Sequence, residues 1–291
     1  MKPPRFRYAR PETLDQALAL LADADGDARV LAGGQSLMPM LNFRLLSPGL
    51  LVDINRIPGL DRIDAAEDGG LRIGALTRHR ALESSPLVAR RFPLLSEAMK
   101  HVAHLAIRNR GTIGGSISHA DPAAELPLMM LMLDARISLA SQAGAREVDA
   151  PDFFVAALTS DVQDGEMVTG VTLPGLPQPH GWAFEEVARR AGDFALAAVA
   201  VLLTVEQGRA GMVRIGAMGV GDTALRLHAA EDVLRGQMLD DATLDRVLHA
   251  ARAAVHPDGD LHASADYRRH LVGVLLKRAL QAAWRRAQGD A

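Results

Sequence analysis

Two short glycine-rich stretches carry the residue types and spacing best suited to chemistry. The first is Ala32, Gly33, Gly34, Gln35 and Ser36, followed by Leu37; the second is Thr112, Ile113, Gly114, Gly115 and Ser116, entered through Gly111. Consecutive backbone N–H groups in a glycine turn can converge on an anion, because no Cβ blocks close approach. A helix that starts directly after the turn adds the positive end of its dipole. The hydroxyls of Ser36, Thr112 and Ser116 supply further donors. A glycine pair before a helix is more often a tight connection than a binding site. Two such turns with matching hydroxyls point to a buried anion, with a nucleotide among the candidates, and the residues alone go no further. Neither turn carries the lysine of a P-loop, and no Ser-His-Asp order occurs in a strand–turn–helix setting, so nucleotide hydrolysis is not expected.

The elements around the turns must position them. Thr13 and Gln16 form a capping-box pattern before Leu14, Ala17, Leu18 and Leu21, which predicts an amphipathic helix ending in the Asp/Gly-rich residues 23–27. Residues 29–32 read as a short buried strand leading into the first turn. Ser36 is placed to cap a helix through Phe43, and residues 50–54 form the next strand. This small α/β unit ends near residue 57. Residues 58–176 mix short strands, such as 71–74 and 136–140, with helices. Leu95, Ala98, Met99 and Val102 mark one helical face, and residues 123–133 form another helix. A Pro/Gly cluster over 174–181 is the clearest boundary. Beyond it, 182–187, 197–205 and 212–217 read as strands. Helices follow over 224–235, around Leu244 to Ala251, and from Ser264, with Tyr267, Leu271, Val274 and Leu275 on the buried face of the last. The order implies an α+β unit with helices on one face of its sheet.

Several features invite functional readings that simpler ones outweigh. Residues 216–221 resemble a dinucleotide fingerprint with its glycines misordered, and a strand ending in a tight turn accounts for them better. His101 and His104 stand three apart on a predicted helix, but no carboxylate nearby completes a metal set. Arg268, Arg269, Lys277, Arg278, Arg285 and Arg286 make the terminal helix basic, as a solvated face would be. Met38, Met40, Met129, Met130 and Met132 are expected to fill core gaps.

Composition narrows the classes. Apolar residues make up 48% and charged residues 23% of the 291, with a formal net charge of -3, so no basic field draws nucleic acid or an anionic membrane. No apolar run approaches the roughly 20 residues of a membrane span, and no signal peptide is expected from the first residues. There is no cysteine, which excludes disulfides, thiolate metal sites and iron–sulfur ligation on this chain and fits a reducing cytoplasm.

The segment from Leu31 to Leu37 and that from Arg108 to Ser116 resemble the FAD-binding medium subunit of the molybdenum hydroxylases, the group that includes aerobic carbon monoxide dehydrogenase and the flavin part of xanthine dehydrogenase. The resemblance continues through Ser118 to Pro127, through Gly192, Asp193, Phe194 and Ala195, and through Leu261 to Arg268, so it spans nearly the whole chain. It implies a two-part, PCMH-like FAD-binding domain, with a small α/β part (1–57) and a larger α+β part (58–176), followed by a C-terminal antiparallel sheet packed with helices (177–291). It further implies that residues 32–37 and 112–116 cradle the FAD pyrophosphate and that His119 and Asp121 belong to the site. Glu125 would bind ribityl or ribose hydroxyls, and Asp193 and Phe194 would lie near the isoalloxazine. Relatives often carry Tyr or Trp at the position of Phe194; a phenyl ring can stack but offers no hydroxyl. The implied role is electron transfer. A molybdenum-cofactor large subunit would oxidise the substrate and an iron–sulfur small subunit would deliver electrons through its 2Fe–2S clusters to FAD here, for an external acceptor. The rival readings are a self-sufficient flavin oxidase and a nucleotide-binding scaffold without redox activity.

Overall fold

The structure is a computed structural model that describes residues 2–289. Strands Arg7–Ala9, Leu50–Asp53 and Ala28–Leu31 form a parallel three-stranded sheet, in that order. Parallel pairing requires crossovers, and helices Leu14–Asp23 and Leu37–Asn42 provide them. Half of the expected capping box is present at the first of these: the Gln16 amide donates to Thr13 Oγ1, while Gln16 Oε1 accepts from the amide of Glu12, one residue before the cap. Ser36 does not cap the second helix as expected. Its backbone is already helical and its hydroxyl is exposed, free of the amides that follow it.

An antiparallel five-stranded sheet follows, ordered Ile63–Ala65, Leu71–Gly74, Met167–Leu173, Arg136–Ser141, Gly144–Asp149. Helix Glu125–Met132 is buried on every side beyond its first residue, with Met129, Met130 and Met132 fully enclosed in the core. Met38 and Met40 are only partly buried.

The last sheet is antiparallel and ordered Gly181–Ala188, Ala195–Glu206, Arg209–Met218, Leu225–Arg226. Its central strand reads as one long apolar run because both faces are buried. Ala198, Ala200 and Leu202 join the core that holds Leu128 and Met132, whereas Ala197, Val199, Val201 and Leu203 join Leu276 and Leu280 of helix Ala265–Ala287. Helices therefore cover both faces, not one; the second cover comes from the preceding part of the chain, which strand-by-strand reading could not supply. The expected helix over 224–235 begins later, as His228–Leu234, after the short strand Leu225–Arg226. On the terminal helix Leu271 and Leu275 are buried as expected, but Tyr267 is exposed, Val274 is only partly buried, and Arg268, Val272 and Leu276 are buried in addition. Among the described residues no helix is long and apolar enough to cross a membrane.

Candidate functional site

The two glycine turns, about eighty positions apart in sequence, touch. Gly33 is buried against the second turn's entry: a Cβ there would collide with the Arg110 carbonyl and stand 2.9 Å from Gly111 Cα. Gly34 takes φ +71°, the left-handed region that glycine alone enters cheaply. Gln35 folds back, its Nε2 donating to Gly33 O at 2.9 Å. Among the described residues, the backbone amides of Gly33, Gly34, Gln35 and Ser36 donate to no protein acceptor. Four successive donors without protein partners at a glycine turn are free to bind an anion.

The second turn is built differently. The Ile113 amide donates to Thr77 O at 3.0 Å and that of Gly114 to Ala75 O at 2.9 Å, so both are seated on the chain beneath them. Gly114 has no room for a side chain, since a Cβ would stand 2.6 Å from that of Ala75. Thr112 caps helix Ile113–His119 by accepting from the Gly115 amide at 3.1 Å. Gly115 is exposed, and a Cβ there would meet only Thr112 Oγ1 within 4 Å.

A latch joins the two turns. Arg78 donates through Nη1 to Arg110 O and through Nη2 to Asn55 Oδ1 at 2.7 Å, while Asn55 Nδ2 donates to Ala32 O at 2.8 Å. Beneath it, the His79 amide donates to Gly111 O at 2.9 Å. Burial pushes the His79 imidazole down to about 4, so the ring is neutral near pH 7. Its Nε2 faces Thr112 O at 3.0 Å and must carry the proton. Nδ1 is then a buried acceptor without a donor, packed against Gly111 Cα. Asn55, Arg78 and His79 stand out by no motif in the sequence; Asn55 lies just past strand Leu50–Asp53, and Arg78 and His79 open helix His79–Ser84.

The remaining expected residues gather beyond the second turn. His119 closes its helix, Ala120 (φ +51°) turns the chain, and Asp121 Oδ1 accepts from the Ala123 amide at 2.9 Å. Glu125 opens helix Glu125–Met132, and burial, with the nearby Asp121 charge, pushes its carboxyl up to about 7. Glu186, on strand Gly181–Ala188, is pushed up to about 8 by burial and then by the Glu125 charge, and its Oε2 is buried without a partner. Sequence reading missed Glu186, which looks like any polar position on a strand. A cleft of about 430 Å³ lies here, lined by Lys100, His101, His104, Arg108, Glu186 and Gly192.

Two further features of this region depart from expectation or complete it. His101 and His104 do not share a helix. His101 sits in a turn edge-on to Phe184, with ring centroids 5.0 Å apart, and His104 precedes helix Leu105–Arg108 with its ring against Gly192. Asp193 lies 3.8 Å from Arg189, and Phe194 is 69% exposed, a large apolar ring left facing outward. Residues 104–111 thus connect the Gly192 contact to the Gly33 contact. The 216–221 stretch is the strand end and turn expected of it, with Gly219 at φ +72°.

The turns fit a bound dinucleotide: one offers unpartnered amides, and the other offers an open glycine surface where a side chain would intrude. Comparison with known proteins gives the family. Residues 4–176 match the FAD binding domain in molybdopterin dehydrogenase, and residues 182–283 match the CO dehydrogenase flavoprotein C-terminal domain. The chain is 44% identical over 289 residues to the 6-hydroxypseudooxynicotine dehydrogenase complex subunit alpha of Paenarthrobacter nicotinovorans, covering 99% of this chain and 97% of that protein. It is 39% identical to the carbon monoxide dehydrogenase medium chain of Hydrogenophaga pseudoflava, covering 98% and 99%. Among solved structures, the Hydrogenophaga pseudoflava carbon monoxide dehydrogenase lacking the Mo-pyranopterin moiety superposes with TM-score 0.95 at 40% identity, covering 98% of this chain and 99% of that one. Quinoline 2-oxidoreductase of Pseudomonas putida 86 gives TM-score 0.93 at 39% identity, covering 100% and 99%. The chain therefore belongs to the FAD-binding family of the molybdopterin dehydrogenases, in the branch whose flavoprotein carries the carbon monoxide dehydrogenase type of C-terminal domain.

Proposed function

We propose that this chain is the FAD-binding electron-transfer subunit of a multi-subunit molybdenum hydroxylase, working with an iron–sulfur small subunit and a molybdenum-cofactor large subunit. The observation that carries the site assignment is the row of unpartnered amides at Gly33, Gly34, Gln35 and Ser36, held against the second turn. Ala32 to Leu37 receive the pyrophosphate on one side. Thr112, Gly115 and Ser116 close over it on the other, with Ile113 and Gly114 seating that turn. His119, Asp121 and Glu125 face the ribityl or ribose hydroxyls, and Asp193 and Phe194 lie beside the flavin ring. Bound FAD supplies the exchange between one-electron donors and a two-electron acceptor. The chain itself binds, orients and shields, and with no cysteine it leaves every iron–sulfur centre to its partners. On this reading residues 1–57 and 58–176 are the two parts of the FAD domain, residues 177–291 form the C-terminal domain, and the assembly works in the cytoplasm.

Asn55 offers a direct check on the latch. Asn55→Ala removes the donor to Ala32 O and the acceptor for Arg78, and is expected to weaken FAD binding roughly 10-fold, the scale of one or two buried hydrogen bonds. A fluorescence titration reads this directly, and an unchanged Kd contradicts the latch. The assembly itself is tested by purification from the native source. The expected product is a yellow complex of three kinds of chain containing molybdenum, iron and one FAD per copy of this chain. A yellow assembly of this chain alone, reduced by substrate without partners, contradicts it.

A further inference from the structure

The sequence segment 261–268 ends on the one arginine that the described residues bury, Arg268, 8% exposed. Its guanidinium does not join the solvated cations of its helix. Nη1 donates to Leu196 O at 2.5 Å and to Gly219 O at 3.0 Å, and Nη2 donates to Asp260 Oδ2 at 2.8 Å. Asp260 is fixed in turn, accepting from the amides of His262 at 2.8 Å and Ala263 at 2.9 Å. Those amides, together with Arg268, hold its carboxyl at about 2, so it stays charged.

The two carbonyls bound by Arg268 lie on chain segments that reach the candidate site. Leu196 follows Phe194 by two residues, at the start of strand Ala195–Glu206. Gly219, in its φ +72° turn, donates its amide to Pro122 O at 2.9 Å, next to Asp121. The same turn packs on the strand start, since a Cβ on Gly219 would stand 3.1 Å from Leu196 O and 3.3 Å from Ala195 O. Continuous hydrogen bonds therefore run from Asp260 through Arg268 to Leu196 on one branch and through Gly219 to Pro122 on the other. The planar guanidinium serves these three acceptors from two nitrogens in a fixed fork, whereas an ammonium would have to reach all of them from one point on a flexible stem.

We infer that Arg268 is a positioning residue for the flavin site, holding the segment that bears Asp193 and Phe194 against the segment that bears Asp121 and Glu125. The flavin part rests on the function proposed above; the mechanical coupling of the two segments does not. The test uses the full-length chain with Arg268→Gln, Arg268→Lys and Asp260→Asn. Hydrogen exchange in the FAD-free chain is expected to rise about tenfold in residues 121–125 and 193–196 together in Arg268→Gln, with the interior of strand Ala195–Glu206 still protected. FAD affinity is expected to fall about tenfold and the visible absorption band of the bound flavin to shift, with Arg268→Lys recovering part of both. Should Arg268→Gln fail to fold, Asp260→Asn decides by the same readouts at smaller amplitude, because it removes only the charged anchor.

Exchange changes confined to residues 260–268 overturn the coupling. Parental FAD affinity and spectrum in variants with lowered melting temperature overturn the positioning role and leave Arg268 a stabilising residue only. A parental chain that takes up no FAD refutes the flavin assignment, while the exchange measurement still decides the coupling.

Discussion

Gly115→Val is expected to reduce the FAD content of the purified chain to under about a tenth of parental, with a melting temperature within about 4 °C, the scale of one perturbed helix cap. Gly115 lies in the first turn of helix Ile113–His119, is exposed, and has only Thr112 Oγ1 within reach of an added Cβ, at 2.9 Å. The fold therefore tolerates the larger residue at little more than the expense of the Thr112 cap. On the proposed assignment, an isopropyl group there would stand where the pyrophosphate passes. The control is Gly33→Val, whose Cβ would collide with Arg110 O between the turns. That variant is expected to lose FAD and stability together, because it parts the turns themselves. Absorbance at the flavin band and thermal melts separate the two outcomes. A Gly115→Val protein that keeps its FAD removes the second turn from the pyrophosphate site.

Glu186→Gln is expected to stabilise the FAD-free chain in alkaline solution and to do nothing in acid. Burial raises the folded-state carboxyl to about 8, against an ordinary value of 4.5, and the neighbouring Glu125 at about 7 adds to it. Between those pH values the folded state binds more protons than the unfolded state, so stability falls as pH rises. The contribution is complete below about pH 4.5 and lost as pH climbs through about 8. Each pH unit is worth about 1.4 kcal/mol, and discounting for solvent reaching this partly buried group leaves about 2 kcal/mol, or about 3 °C in a chain of this size. Melting temperatures measured from pH 5 to pH 9 check it. The expected difference grows with pH, and a constant offset contradicts ionisation as the cause.

Much of the fold was legible from local pattern. The cap at Thr13, the long apolar run of the central late strand and the all-apolar run 126–133 each carry a local signal that the structure follows. The two glycine turns were legible as chemistry because glycine spacing carries their geometry with it. What was not legible came from distant parts of the chain. Asn55, Arg78 and His79 matter because two separate connections, one after strand Leu50–Asp53 and one entering helix His79–Ser84, converge behind the turns, and no spacing announces that. Glu186 became notable only when the fold brought Glu125, at the start of helix Glu125–Met132, within range of its charge. The terminal helix shows the same limit: apolar periodicity favoured Tyr267 over Arg268 for the core. Backbone carbonyls at Leu196 and Gly219, invisible to periodicity, supply the acceptors that let an arginine be buried there.

Titrating the FAD-free, full-length chain with FAD, with riboflavin as competitor, is the most direct test of pyrophosphate binding between the two turns. The expected result is saturation at one FAD per chain, with riboflavin, which has the ring but no phosphates, failing to displace it. Equal binding of riboflavin, or no saturable uptake of FAD, would contradict pyrophosphate binding between the turns.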